Sequence, residues 1–201
     1  MDFHEYIDHL NHRRFLAEFC ATPEEAKKRA LAIIGSRSVG IGGTRTIAEL
    51  GLYDALLQNG NRVFCHTYAE RADKDEMRHA ALTADVYLSS TNAVTQDGIL
   101  VNIDGTGNRV TGLIYGPHTV VVIVGRNKLV ADIPAAIERT KRECCPNNAR
   151  RLGHNTPCAV TGECADCNST ARMCNVTTLH EYPLRDQTDF HVLVVDADLG
   201  W

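Results

Sequence analysis

The chain has 201 residues, of which 44% are hydrophobic and 23% are charged, a composition typical of a globular protein with one main domain. Its net charge of −4 provides no general attraction to nucleic acid or to an anionic membrane, so neither is expected as a partner. No stretch approaches the roughly 20 apolar residues that span a bilayer, and residues 1–20 lack the apolar core of a secretory signal. We therefore expect a cytoplasmic protein whose eight cysteines are kept reduced.

The beginning of the chain carries helical patterns. Apolar residues recur at roughly helical intervals over residues 3–19, which predicts one helix. A second helix is predicted to start at Pro23, because Thr22 can cap it and Glu25 completes a capping box, and to end at Gly35. Residues 1–35 are thus predicted to form an N-terminal helical segment.

Short β-branched runs separated by helical patterns follow. Strands are predicted over residues 38–41, 62–66, 86–89, 98–103, 120–124 and 191–195. Helices are predicted over residues 46–58, 73–84 and 132–144. This alternation predicts one α/β domain over residues 1–201, with a mostly parallel sheet covered by helices on both faces.

The first glycine-rich loop, residues 40–46, lies between a predicted strand and a predicted helix. Backbone N–H groups and the helix dipole favour an anion at such a position. A dinucleotide fingerprint would need a third glycine where Arg45 stands and an acid where the next strand ends in Cys65 and His66, so a nicotinamide cofactor is disfavoured. The alternative reading is a tight turn that simply needs glycine.

A second polar, glycine-rich cluster covers residues 97–109 and flanks another predicted strand. Two such loops in one small sheet predict a shared site for a small anionic metabolite. The predicted anion-binding residues are Gly40, Gly42, Gly43, Thr44, Arg45, Thr46, Asn102, Gly105, Gly107, Asn108, Arg109 and Lys128. The candidates for acid or base catalysis are Glu49, Asp97 and Asp104. For each acid, the alternative is an ordinary partner in a surface salt bridge.

Four cysteines stand close together in a polar segment, residues 146–180: Cys158, Cys164, Cys167 and Cys174. Hydrophobic burial alone cannot easily order such a segment, and clustered thiols in a cytosolic protein are typical of metal ligands. Structural zinc usually uses two short-spaced pairs, whereas Cys158 and Cys174 each stand alone, so the spacing favours a [4Fe–4S] cluster. Zn²⁺ is the alternative metal, and small buried side chains are the alternative without a metal.

The other four cysteines are not predicted as ligands. Cys144 and Cys145 are adjacent, which makes joint ligation of one metal awkward. Cys20 and Cys65 lie on a predicted helix and a predicted strand, so we expect both in the core.

Together these motifs resemble the lactate-utilisation (LUD) domain family. The resemblance rests on residues 38–46, 97–109, 115–117 and 125–128, whose order and spacing agree. It implies an α/β fold like that of ribose-phosphate isomerases, sugar-phosphate deaminases and coenzyme A transferases, in which the matching loops lie over a bound phosphate or thioester. It also implies a link to the oxidation of lactate or a similar hydroxy acid by an assembly with iron–sulfur subunits. The four-cysteine module is similar to one in short stand-alone members, which are common in anaerobes.

Three functional hypotheses follow. The first is an iron–sulfur oxidoreductase, or a component of one, in which the loops hold a small carboxylate or phosphate beside the cluster. The cluster would pass electrons to a partner protein or act as a Lewis acid. The second is a zinc-stabilised metabolite-binding or regulatory protein, and the third is an isomerase or transferase with a structural metal. A homodimer is compatible with each.

Overall fold

The computed structural model describes residues 2–186 and 189–201. Ten strands lie within these ranges: β1 (Leu16–Cys20), β2 (Val39–Ile41), β3 (Val63–Phe64), β4 (Val86–Ser89), β5 (Ala93–Thr95), β6 (Leu100–Asp104), β7 (Thr119–Gly125), β8 (Leu129–Val130), β9 (Val176–His180) and β10 (Asp189–Val195). The α-helices of the described part are α1 (Phe3–His12), α2 (Pro23–Ile34), α3 (Arg45–Glu49), α4 (Leu52–Gln58), α5 (Lys74–Leu82), α6 (Asn108–Tyr115), α7 (Ile133–Arg139), α8 (Cys145–Leu152) and α9 (Pro157–Thr161).

The main sheet has six strands in the order β1-β10-β7-β4-β2-β3, and every pairing in it is parallel. Alternate residues of its strands face opposite sides, as the pleat requires. On β7, Val121 and Ile123 pack with α2, α3 and α4, while Val120 and Val122 pack with α1, α5 and α6. The predicted α/β fold, with a parallel sheet covered on both faces, is confirmed.

A second, four-stranded sheet in the order β8-β5-β6-β9 was not predicted. Its β5–β6 and β6–β9 pairings are antiparallel, and its β5–β8 pairing is parallel. Two of these strands are only two or three residues long, too short to give a periodic pattern in the sequence. The sheet places β6 and the loop after it beside the main sheet.

The predicted single helix over residues 3–19 is wrong. Helix α1 ends at His12, Arg14 adopts a positive φ of 69°, and the chain returns as β1. β1 pairs in parallel with β10, and Phe15 and Ala17 are buried in the core. Five residues are too few to separate a strand from a helical continuation by periodicity. The N-terminal segment is therefore helix, strand, helix.

Helix α2 starts as the sequence predicts. The Thr22 hydroxyl accepts a hydrogen bond from the Glu25 N–H at 3.1 Å, and the Glu25 carboxylate accepts one from the Ala21 N–H at 2.8 Å. Two other predicted helices are interrupted. The helix over residues 46–58 divides at Gly51, which has a φ of 58°, and the helix over residues 132–144 continues from α7 as one π-helical turn, Thr140–Cys144. In the described part of the chain, no helix combines the length and apolar character needed to cross a membrane.

Candidate functional site

A cavity of about 730 Å³ lies at the carboxyl ends of several strands. His66, Ser90 and Lys128 follow strands of the main sheet, and Gly105 follows β6. Its wall includes residues from both glycine-rich loops, so the structure brings Gly43, Thr44 and Arg45 together with the loop at residues 105–109. Open α/β sheets commonly bind ligands at this edge, where the strands end.

The cavity is strongly cationic. Among the described residues that line it are seven basic side chains and a single carboxylate, that of Asp104; the basic ones are Arg45, Lys74, Arg78, Arg109, Lys128, Arg151 and Arg172. A concave surface with one sign of charge concentrates ligands of the opposite sign. This arrangement suits a small molecule with one or more carboxylate or phosphate groups.

The dipole of α3 contributes little to this anion preference. Helix α3 has only five residues, so the loop at residues 40–46 does not lead into the long helix that the sequence predicted. The favourable potential comes from side-chain charges instead. The same charges act on His66, whose pKa is lowered by burial and then by the nearby Arg78 and Lys74.

Arg109 is almost completely buried on α6, and each nitrogen of its guanidinium faces a protein acceptor. Its Nη2 donates to the Ile103 carbonyl and to Asn92 Oδ1, both at 2.8 Å. Its Nη1 donates to the Ser90 carbonyl at 3.3 Å and to Asn102 Oδ1. Arg109 therefore holds several segments of the cavity wall together. Since its N–H groups already face protein acceptors, its main contribution to ligand binding would be its positive charge.

Asp104 has a similar structural role at the end of β6. Its Oδ1 accepts hydrogen bonds from the N–H groups of Thr106 and Gly107 at 3.1 and 2.8 Å, which folds the loop over. Its Oδ2 lies 3.5 Å from Arg109 Nε. Of the three acids predicted for catalysis, only Asp104 lines the cavity, and both of its oxygens already have partners.

The other two predicted acids lie outside the cavity wall. Asp97 is at the opposite end of β6, where it pairs with Arg13 at 3.1 Å and accepts a hydrogen bond from Thr95 at 2.5 Å. The expectation that Asp97 shares the site is corrected by this placement. Glu49 pairs with Arg45 at 2.8 Å and accepts the Gly200 N–H at 2.6 Å, so it holds a cavity arginine in position.

Several predicted anion-binding residues support the wall without lining it. A β-carbon at Gly40 would overlap the carbonyl oxygen of Ala81, which shows that this glycine serves strand-to-helix packing and corrects its assignment to the site. A β-carbon at Gly42 would lie 3.0 Å from Arg109 Cγ. Asn102 accepts from Arg109, Thr46 accepts from Lys128, and Gly107 caps α6 with a φ of 90°.

Lys128 lies at the end of a 3₁₀ turn after β7 and is only 3% exposed. Its ammonium donates hydrogen bonds to the hydroxyl oxygens of Thr46 at 2.7 Å and Ser90 at 3.0 Å. The pKa of Lys128 is lowered to about 7, chiefly by burial; the charges of Arg139 and Arg109 act in the same direction, and Cys144 and Glu49 oppose them.

Four cations and an aromatic residue of the wall are not among the predicted site residues: Lys74, Arg78, Arg151, Arg172 and Trp201. They come from α5, α8 and segments near the C-terminus, far from the glycine loops in sequence. Arg151 is held by its neighbour Asn148, whose Oδ1 accepts from Arg151 Nη2 at 2.6 Å. The basic run at residues 150–151 was the available signal, but it did not distinguish Arg151 from Arg150.

The cysteine-rich segment folds against the second glycine loop. The Asn175 backbone N–H donates to the Asp104 carbonyl at 2.9 Å, and Asn175 Nδ2 donates to the Gly105 carbonyl at 3.0 Å. A β-carbon at Gly105 would lie 2.8 Å from Met173 Cα, so only glycine permits this close approach. These contacts place Cys174 next to residues of the cavity wall.

All eight cysteines are free thiols. Cys20 and Cys65 are buried in the core, as predicted. Cys144 lines the cavity, and its sulfur accepts a hydrogen bond from Arg139 Nη1 at 3.1 Å. Burial raises the pKa of the Cys145 thiol to about 12, and Cys174, Cys144, Cys158 and Cys164 contribute to this rise because they lie nearby.

The four predicted ligands are partly accessible: Cys164 is exposed, and Cys158, Cys167 and Cys174 are half-buried. Among the residues that the structure describes, no three histidine, cysteine or acidic side chains are arranged to hold a single metal ion. A tetrahedral zinc site needs such a convergence. The ligand role of these cysteines stays a prediction.

The sequence model of the LUD domain matches residues 3–195. The chain belongs to the LUD domain family. A solved structure also resembles this LUD domain: the crystal structure of a DUF162 family protein from Deinococcus radiodurans has a TM-score of 0.53 and 13% sequence identity, over 97% of this chain and 95% of that chain. At this identity the likeness extends to the fold alone. No curated protein matches the sequence significantly.

Proposed function

We propose that this LUD domain is an iron–sulfur protein of the lactate-utilisation type that binds a small anionic metabolite beside a [4Fe–4S] cluster. The metabolite would be a hydroxy acid or another small carboxylate or phosphate. The observation that carries the proposal is the packing of the cysteine-rich segment onto the wall of the cationic cavity, through the two hydrogen bonds from Asn175 to residues 104–105.

The anion preference is supported by the seven basic residues around the cavity. Arg45 and Arg151 would attract and orient the carboxylate or phosphate, and guanidinium groups suit both because they can donate two parallel hydrogen bonds. Arg172 already donates to the Cys167 and Cys174 carbonyls and to Asp166, so it would contribute mainly its charge. Arg109 would contribute charge from behind the wall. The hydroxyls of Ser90, Thr91 and Thr106 would complete the polar contacts.

The cluster is supported by the chemistry of the donors. Four reduced thiols lie within one short segment, and thiolates are the usual ligands of iron–sulfur clusters. Cys158, Cys164 and Cys174 also lie near Cys145, because each of them contributes to the raised pKa of the Cys145 thiol. Cys158, Cys164, Cys167 and Cys174 would hold the group, which when bound supplies electron transfer or, with an open iron, Lewis acidity.

Metal analysis of protein isolated without oxygen tests the proposal. We expect a brown protein with iron and acid-labile sulfide in a ratio near one. Stoichiometric zinc in a colourless protein would contradict the cluster and favour a zinc-stabilised binding protein. The absence of both metals would leave only an anion-binding domain.

Single serine variants then assign the ligands. Serine replacement of any one of Cys158, Cys164, Cys167 and Cys174 should lower the iron content. The same replacement at Cys145 tests whether this buried neighbour is also a ligand of the cluster. Cys65→Ser is the matched control, because Cys65 is buried in the core. Full iron occupancy in one of the four variants would remove that residue from the ligand set.

A further inference from the structure

Lys128 combines burial with access to the cavity. It is only 3% exposed, yet it is one of the residues that line the cavity wall. Both acceptors of its ammonium are neutral hydroxyls, those of Thr46 and Ser90. No described carboxylate forms an ion pair with it. A buried ammonium without a counter-ion is costly, so the neutral amine is favoured.

The charges around Lys128 act in both directions. After burial, which has the largest effect, Arg139 and Arg109 also favour the neutral amine, whereas Cys144 and Glu49 favour the ammonium. The balance leaves its pKa at about 7. An ordinary lysine has a pKa of about 10.4 and is almost fully protonated at neutral pH. At a pKa of about 7, about half of the Lys128 side chains carry the neutral, nucleophilic amine at neutral pH, within a cationic cavity.

We propose that Lys128 forms an imine with a small carbonyl compound that carries a carboxylate or phosphate, the simplest class being the 2-oxo acids. This inference deepens the proposed function, on which it rests, because the cationic wall must first hold the anionic group. Desolvated lysines with depressed basicity are typical of Schiff-base formation with carbonyl substrates.

The step conserves atoms and electrons. The lone pair of the neutral Nζ forms a bond to the carbonyl carbon, and the π electrons of the carbonyl move to its oxygen. One proton passes from nitrogen to that oxygen, giving a carbinolamine. Loss of the hydroxyl with the second nitrogen proton releases water and leaves the C=N bond. The Ser90 and Thr46 hydroxyls lie within hydrogen-bond distance of Nζ and are placed to relay these protons.

Reductive trapping tests the inference. The purified protein is incubated with pyruvate or glyoxylate and sodium cyanoborohydride, whose hydride converts the imine to a stable secondary amine. Intact mass and peptide mapping should locate one adduct at Lys128. The initial rate should rise as the pH increases through about 7, because the neutral amine is the reactive form. Acetone, which lacks the anionic group, should label Lys128 at least tenfold more slowly.

Two variants provide the comparison. Lys128→Arg keeps a buried positive charge but cannot form the imine, so its adduct should be lost. Lys28→Arg changes an exposed lysine on α2 and should leave the adduct at Lys128 intact. Labelling spread over surface lysines, with no excess at Lys128, would overturn the inference.

A separate binding measurement distinguishes imine formation at Lys128 from anion binding in the cavity. Pyruvate and inorganic phosphate should each raise the melting temperature of the wild-type protein. If they do so and no adduct forms at Lys128, the imine is excluded and the anion site stands. If neither anion binds and no adduct forms, both proposals fail.

Discussion

The α-carbon of Gly112 packs against the ring of Tyr87, so closely that a β-carbon at Gly112 would overlap ring atoms. This contact joins α6 to β4 of the main sheet. Tyr87 is 1% exposed, and its hydroxyl donates to the Asn108 carbonyl at 3.4 Å. Gly112 thereby sets the distance between the sheet and the helix that carries Arg109.

Gly112→Ala should destabilise the domain by about 1–3 kcal/mol, the usual cost of overpacking a rigid core. Because Tyr87 is fully buried, its ring has little room to move away. Urea unfolding measures the change. Ile114→Ala, on the exposed side of the same helix, should change stability by less than about 0.5 kcal/mol. Equal losses of stability in the two variants would show that the contact between Gly112 and Tyr87 does not account for the effect.

Arg109→Ala should lower the free energy of unfolding by about 3–5 kcal/mol, because it removes the arginine partner of a buried carboxylate, a buried side-chain amide and a partly buried one. These groups belong to Asp104, Asn102 and Asn92. The matched control is Arg126→Ala, which removes exposed ion pairs with Asp196 and Asp198 and should leave stability nearly unchanged. If Arg109→Ala alters anion binding while stability stays unchanged, Arg109 is a ligand rather than an organiser.

Arg151→Ala should weaken phosphate or pyruvate binding by about tenfold to a hundredfold, since a hydrogen bond to a charged group contributes about 1.5–3 kcal/mol. Its neighbour provides the control. Arg150 does not line the cavity and donates to the Ala159 carbonyl at 2.8 Å, so Arg150→Ala should leave the affinity unchanged. Calorimetric titration at two salt concentrations measures both affinities. Equal weakening in both variants would indicate a diffuse electrostatic effect rather than a contact in the cavity.

Lys128→Met should change how stability depends on pH. The pKa of Lys128 is about 7 in the folded protein and about 10.4 in the unfolded chain. Between these values the unfolded chain binds more protons, so this lysine makes stability rise with pH across that window. Below the folded value both states are protonated, and the cost of burying the ammonium is greatest and constant.

The methionine variant removes this cost. Its stability relative to the wild type should therefore be highest below about pH 7 and should decline as the pH rises towards 10. Urea unfolding at about pH 6, 8 and 10 measures the difference, in which the titration of other groups cancels. A difference that does not vary with pH would mean that Lys128 has an ordinary basicity.

The main sheet was predictable because its central strands, such as β7, are continuous β-branched runs buried on both faces. β1 was not, because Leu16–Cys20 follows a helical pattern without a glycine or proline to mark the turn at Arg14. The two glycine loops were predicted to share a site, but β6, which leads into the second loop, belongs to the second sheet and pairs antiparallel with β5 and β9; the rule for parallel strands therefore does not explain why the loops meet. Asp97 was misplaced because it adjoins the same strand at its other end.

Two further cations of the cavity, Lys74 and Arg78, had no distinguishing signal in the sequence. Lys74 and Arg78 resemble any basic residues on an amphipathic helix, and their approach to the glycine loops depends on the packing of α5 against the sheet. The structural roles of Arg109 and Asp104 were equally hidden, because they depend on acceptors supplied by separate segments.

The position of β10 in the main sheet has a consequence for biosynthesis. β10 lies between β7 and β1, so β1 has no strand to pair with until the last strand has left the ribosome. During translation α1 and β1 are synthesised first, and β1 stays unpaired until nearly all of the other elements have been synthesised. Such long-range pairing slows folding and exposes apolar segments to aggregation. A nascent chain that stalls before residue 189 would leave the facing edges of β1 and β7 unpaired.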